Sequence, residues 1–325
     1  MHAMENDEGD HASRFATIQA RLLDWFRANA RDLPWRRTRD PYAILVSEVM
    51  LQQTQVDRVL PYYARFLERF PTVHDLAAAP TADVIRIWSG LGYNRRAVNL
   101  QRAAIAIVNE RNGIFPTDPA ELRKLPGIGA YTAGAIAAFA HERDVAFLDT
   151  NMRRVVSRVV FGLESAPEAQ TLDAARSLVP TGSGWTWNQA LIEFGALQCT
   201  SRRPACIVCP LREVCRAFPP MQFAVGLKKS QMRKSKAVPF EHTTRYYRGR
   251  IVETLRDLPE HDRSGIALTD LGSKVQEGFS AENLPWLRGL VEGLQRDGLA
   301  LIAEEPTPYD SGARTGEPET RVRLP

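Results

Sequence analysis

Leu125-Pro126-Gly127-Ile128-Gly129-Ala130-Tyr131-Thr132-Ala133-Gly134-Ala135-Ile136 is the stretch whose reading decides the fold. Pro126 cannot continue a helix, and two glycines alternating with an apolar residue make a tight turn between helices. The helix that follows is built from small residues, so another part of the chain can approach it closely. Such a turn aims successive backbone N–H groups, and the positive end of the next helix, outward, which makes a ready phosphate site. The same residues serve equally as a plain structural turn. Two acids tip the balance toward chemistry: Glu48 upstream, and Asp149 downstream in Asp149-Thr150-Asn151.

Working outward toward the N-terminus, Asp40-Pro41 opens a helix with proline in its first turn. That helix carries Ile44, Leu45, Val46, Val49, Met50 and Leu51, with Glu48 among them. A carboxyl with so many apolar neighbours has a raised pKa, which suits a proton donor near neutral pH. The bland alternative is an outward-facing Glu on a polar stripe. Further upstream, Phe15, Ile18, Leu22, Leu23 and Phe26 recur at helical spacing and predict an amphipathic helix from Arg14 to Ala30. Downstream, Gly90-Leu91-Gly92-Tyr93 breaks the pattern before a long basic-edged helix from Arg95 to Asn112. Asp149 or Asn151 can cap the helix Met152–Phe161 as readily as it can act on a ligand. No strand pattern of convincing length occurs before residue 240, so the first 215 residues read as all-α.

The bulk numbers set the frame. The chain has 325 residues, 44% hydrophobic and 25% charged, with a net charge of +4. That is room for two or three domains of an ordinary globular protein, mildly basic, with no apolar run long enough to span a membrane. Residues 1–13 read as a disordered leader and the protein as cytosolic. All four cysteines fall in one window, Cys199-x6-Cys206-x2-Cys209-x5-Cys215. A disulfide scaffold spreads its cysteines, and a structural zinc site usually pairs two short knuckles. Four thiols on one continuous loop suit a compact iron–sulfur cluster. Residues 217–250 are rich in Lys and Arg, among them Lys228, Lys229, Arg233 and Lys234, and read as a solvated tether or as a nucleic-acid-neutralising linker.

Taken together, Leu33-Pro34-Trp35-Arg36, Ser47 through Val56, Gly90-Leu91-Gly92-Tyr93, Leu125 through Gly129, Leu148-Asp149-x-Asn151, Asn188-Gln189-Ala190 and the cysteine loop resemble the helix-hairpin-helix DNA glycosylases that carry an iron–sulfur cluster. Within them the likeness is to the A/G-specific adenine glycosylases of the MutY type. The resemblance covers roughly residues 28 to 216. It implies an all-α helix-hairpin-helix glycosylase fold. Residues 14–30 and 141–216 would form a cluster domain and residues 31–140 a six-helix domain. Residues 217–243 would then be a basic linker, and residues 244–325 a small winged-helix-like module.

What the resemblance implies about chemistry is specific. Glu48 would protonate an extruded adenine, and Asp149 would stabilise the sugar cation left behind, with Tyr131 and Asn151 orienting them. Trp35 and Arg36 would line the base pocket, and Gln53 and Tyr93 would wedge into the duplex. The amides of Gly127 and Gly129 would hold a phosphate. Cys199, Cys206, Cys209 and Cys215 would bind a [4Fe–4S] cluster. The partner would be mismatched double-stranded DNA, met by a monomer in the nucleoid. Tyrosine at position 131, where strand-cutting relatives place a lysine, implies a monofunctional enzyme.

Three features depart from the pattern. Thr150 stands where many adenine glycosylases have glycine, and Asn94 where a second tyrosine is frequent. Residues 240–325 look helical rather than like the β-rich domain that many members use to check for 8-oxoguanine. Two other readings stay open: a mismatch thymine or uracil glycosylase of the same superfamily, and a non-catalytic DNA-binding protein that keeps the fold.

Overall fold

The computed structural model describes residues 2–164, 166–218, 220–221, 239–259, 264–305 and 319–325. The expected linker cations Lys228, Lys229, Arg233 and Lys234 lie outside these residues. The helices are α1 His2–Asn29, α2 Pro41–Leu51, α3 Val56–Arg69, α4 Val73–Ala78, α5 Thr81–Ile87, α6 Arg95–Arg111 and α7 Pro119–Leu122. They continue as α8 Ala130–Phe139, α9 Thr150–Val156, α10 Glu168–Leu178, α11 Gly184–Leu197, α12 Thr244–Arg256, α13 Leu268–Val275 and α14 Leu284–Arg296. A π-helical turn, Ser157–Phe161, extends α9, and three strands are described: β1 Ile266–Ala267, β2 Leu301–Glu305 and β3 Glu319–Arg323. The chain divides into two compact units, one of residues 1–48, 115–124 and 128–233, the other of residues 49–114, 125–127 and 234–325. The division falls inside α2, between Glu48 and Val49.

In the first unit α1 packs on α11, and α11 on α8 and α9. The buried side chains Ile18, Leu22 and Phe26 of α1 are those whose spacing predicted the helix. Helix α1 starts at His2, so residues 2–13, expected as part of a disordered leader, are helical. Helix α8 is buried from Thr132 to Phe139. Its small residues have a definite use: a Cβ on Gly134 would lie 2.5 Å from Cβ of Phe147, so only glycine lets that side chain in. Asp144 accepts hydrogen bonds from the backbone N–H of Gly182 (2.6 Å) and Gly184 (2.8 Å). Asn188 Nδ2 donates to Val145 O at 2.9 Å. Asp144 and Val145 are thereby tied to the first turns of α11 and the residues just before it.

In the second unit α4 packs on α6 and α5 on α6. Helix α4 opens with a capping box between Thr72 and Asp75. Helices α12–α14 and an antiparallel sheet of order β1-β3-β2 form a helix-strand-helix-helix-strand-strand module. Its core of Ile251, Leu255, Leu271, Val291, Leu294 and Val322 also takes in Ile85 of α5 and Val98 of α6. Residues 319–323 return as the central strand, with Val322 opposite both Ile266 and Ile302.

Candidate active site

In the first unit, α2 presents Glu48, α8 presents Tyr131, and the segment before α9 presents Asp149. Glu48 is 5% exposed, so its neighbours rather than water set its chemistry. Burial pushes its carboxyl up to about 7, and the nearby Asp149 charge adds to that push. A hydrogen bond from the Tyr131 hydroxyl and the charge of Arg36 act the other way. The apolar run of α2 therefore does to this acid what its sequence predicted. Burial and the two carboxyls also raise Tyr131 well above the usual phenol range, so its hydroxyl stays a donor. Its ring is held edge-on by Phe147, 5.3 Å between centroids, and Phe147 in turn meets Phe139 at 5.7 Å.

Asp149 has two occupations. Its Oδ1 caps α9 by accepting from the Met152 N–H at 2.6 Å. Its Oδ2 accepts from Asn151 Nδ2 at 3.1 Å. Asn151 is itself oriented by Arg154, whose Nη2 donates to Asn151 Oδ1 at 2.9 Å. Helix α11 backs it closely, since a Cβ on Gly195 would lie 2.9 Å from Asn151 Cβ. The capping and the catalytic readings of Asp149 are compatible: one oxygen caps while the other is aimed by a neighbouring amide.

Trp35 is buried on a single helical turn, Pro34–Arg36. Arg36 donates to Gln189 Oε1 (2.8 Å), to Arg31 O (2.9 Å) and to Glu193 Oε2 (2.9 Å). Glu193 is completely buried, and its bonds to Arg31 and Arg36 overcome the cost of burial and hold it down at about 2. This acid was missed by sequence reading, although it sits in an apolar helical run much as Glu48 does: Ala190-Leu191-Ile192-Glu193-Phe194. Burial raises Glu48, whereas Glu193 is answered by two guanidinium groups and stays charged. One is poised to exchange a proton; the other anchors Arg36.

The four cysteines also belong to this unit. All of them line one small pocket with Val159, Phe194 and Leu211. Arg158 Nη1 lies 3.4 Å from Cys199 Sγ. Among the described residues, no three His, Cys, Asp or Glu side chains converge as ligands of a single metal ion. Four thiols on the wall of one cavity are a donor set that an iron–sulfur cluster could use. Burial raises Cys206 and Cys215 and pushes Cys209 up to about 12, with neighbouring thiolates adding to the push. A metal cluster bound here would hold them as thiolates.

The remaining expected residues divide between the units. Gly129 N-caps α8, and nothing lies within 4 Å of a Cβ placed there. In the second unit Gly127 has φ +74°, and a Cβ on it would lie 2.7 Å from Asn99. Gln53 and Tyr93 are both exposed, both in the left-handed region, with φ 56° and 48°. They border a cleft of about 1450 Å³ with Arg95, Arg245, Arg248 and Arg250. Arg245 lies 4.0 Å over the Tyr93 ring.

Residues 46–181 match the HhH-GPD superfamily of base excision DNA repair proteins. The adenine DNA glycosylase of Mycolicibacterium smegmatis is 40% identical over 290 residues, 88% of this chain and 96% of that protein. The chain belongs to the HhH-GPD superfamily. The human adenine DNA glycosylase is 42% identical over 209 residues, covering 60% of this chain and 38% of the human protein. Among solved structures of this superfamily's fold, a thermostable thymine-DNA glycosylase superposes with a TM-score of 0.61 at 28% identity, over 64% of this chain and 98% of that one. Endonuclease III in a non-covalent DNA complex gives 0.56 at 25% identity, over 63% and 95%. The fold is mostly helical, as in these DNA glycosylases, and residues 46–181 carry the superfamily match. No described helix is long and apolar enough to cross a membrane.

Proposed function

We propose that the protein removes adenine mispaired with 8-oxoguanine or guanine by hydrolysing its N-glycosidic bond. The single observation that carries this reading is Glu48, buried, held near pH 7 and hydrogen-bonded to Tyr131 with Asp149 in its electrostatic reach. Protonated Glu48 donates its proton to a ring nitrogen of the extruded base, so that neutral adenine departs when the C1′–N bond breaks. The cation left on the sugar is stabilised by Asp149, which Asn151 holds in aim. Water adds its oxygen to C1′ and returns its proton to Glu48, which closes the cycle. Two carboxyls divide the work as in other glycoside cleavage. Proton transfer of this sort typically contributes about 10²–10⁴-fold. Trp35 and Arg36 would line the base pocket, Gln53 and Tyr93 would fill the space left in the duplex, and the amides of Gly127 and Gly129 would hold a phosphate.

A [4Fe–4S] cluster on Cys199, Cys206, Cys209 and Cys215 would brace the loop that carries Arg202, Arg203 and Arg212. We infer that the protein acts as a monomer on mismatched double-stranded DNA. Tyrosine at 131 offers no amine for a Schiff base, so the strand should remain intact after base loss.

A second reading, removal of mismatched thymine or uracil, has support in the fold shared with the thymine-DNA glycosylase. The 40% identity to an adenine DNA glycosylase over nearly its whole length weighs against it. Measuring base release from A:8-oxoguanine, A:G, T:G and U:G duplexes decides between them. Release confined to pyrimidines would sink the adenine assignment.

A further inference from the structure

Arg96, in the first turn of α6, spends its side chain on two loops at once. Its Nη1 donates to the carbonyls of Val49 (2.8 Å), Met50 (2.9 Å) and Gln52 (2.6 Å). Its Nη2 donates to Thr54 Oγ1 and to Gly92 O, each at 3.2 Å. The guanidinium also lies 5.4 Å from the Trp88 ring centroid and 5.5 Å from that of Tyr93.

These partners flank two strained residues. Gln53 stands between Gln52 and Thr54, and Tyr93 directly follows Gly92. Among the described residues only four that are not glycine have positive φ: Gln53, Tyr93, Asn112 and Glu142. Two of the four therefore sit beside bonds from the same guanidinium. A left-handed conformation is unfavourable for a residue with a Cβ and persists only where its surroundings over-determine it. Arg96 supplies that constraint, since its planar fork reaches carbonyls of both loops together. Lysine, with three donors on one nitrogen, cannot span them. Burial lowers the Arg96 guanidinium to about 10, so it stays charged at neutral pH.

We propose that Arg96 is a positioning residue that locks Gln53 and Tyr93 together in the conformations from which they enter the base stack. This rests on the wedge role given to those two residues above. The lock pre-organises two side chains from loops forty positions apart, so neither has to be ordered while the adenine is leaving.

The test is a double-mutant cycle read on two substrates. The variants are Arg96→Lys, the pair Gln53→Ala/Tyr93→Ala, and all three changes combined. One duplex places adenine opposite 8-oxoguanine; the other places it opposite an abasic-site analogue, where no partner base resists extrusion. Single-turnover base release and 2-aminopurine fluorescence at the target position are followed. Arg96→Lys should slow release from the paired duplex by roughly 10²-fold, the scale of loss for a misplaced positioning group. It should slow release from the second duplex less than threefold, and cost nothing further once Gln53 and Tyr93 are alanine. Equal losses on both duplexes, or full additivity in the triple variant, would overturn the proposal. If the alanine pair itself treats the two duplexes alike, the wedge reading falls and this inference with it. Thr54→Val removes a single bond to Arg96 and covers the case in which Arg96→Lys fails to fold. It should slow release severalfold on the paired duplex only, and an equal effect on both would count against the proposal.

Discussion

Replacing Glu48 with glutamine separates what this acid does for the fold from what it does for chemistry. Its carboxyl titrates near 7 in the folded protein against an ordinary value of 4.5. The folded state thus holds a proton that the unfolded state releases, so stability is full below pH 4.5 and falls as pH rises toward 7. At about 1.4 kcal/mol for each pH unit of that gap, ionised Glu48 costs the fold about 3 kcal/mol above pH 7. Glutamine keeps an oxygen for the Tyr131 hydroxyl and carries no charge. Glu48→Gln should match the wild type in chemical denaturation at pH 4.5 and exceed it by about 3 kcal/mol at pH 8, while base release falls by at least about 10²-fold. A variant that is equally stable or less stable at pH 8 would refute the burial argument, whatever its activity.

Asn151→Ala removes the amide that aims Asp149 at 3.1 Å; we expect base release to drop roughly tenfold, with a stability cost of about 1 kcal/mol in thermal melts. Glu193→Gln leaves Arg31 and Arg36 without their buried counter-charge; the expected loss is about 3–5 kcal/mol in urea unfolding. Cys209→Ser should abolish visible iron–sulfur absorption and lower the melting temperature, and a wild-type preparation that is colourless and holds stoichiometric zinc would contradict the cluster assignment.

Much of the site was legible because its signals are local. Glu48 is an acid embedded in an apolar helix, Asp149 precedes a helix start, and the turn after Pro126 needs glycine at 127, where φ is +74°. Each of these is decided within a few residues of sequence. Arg96 was invisible for the opposite reason: it binds main-chain carbonyls, which any residue can offer, from a loop more than forty positions away. Glu193 escaped notice because its meaning depends on Arg31 and Arg36, which sit about 160 positions earlier in the chain. The C-terminal module shows the same limit. Residues 240–325 read as helical, but nothing local could show that their core would include Ile85 and Val98. Strand β3 takes its register from β1 and β2 rather than from its own composition, and its sequence of Glu319-Thr320-Arg321-Val322-Arg323 looks like a fraying end.

The central claim is that Glu48 must carry a proton for adenine to leave. Its most direct test is the single-turnover rate of adenine release from an A:8-oxoguanine duplex between pH 5 and pH 9. The rate should show a plateau on the acid side, a bend near 7, and about a tenfold fall for each pH unit beyond it. A rate that stays level through pH 9 would contradict the claim.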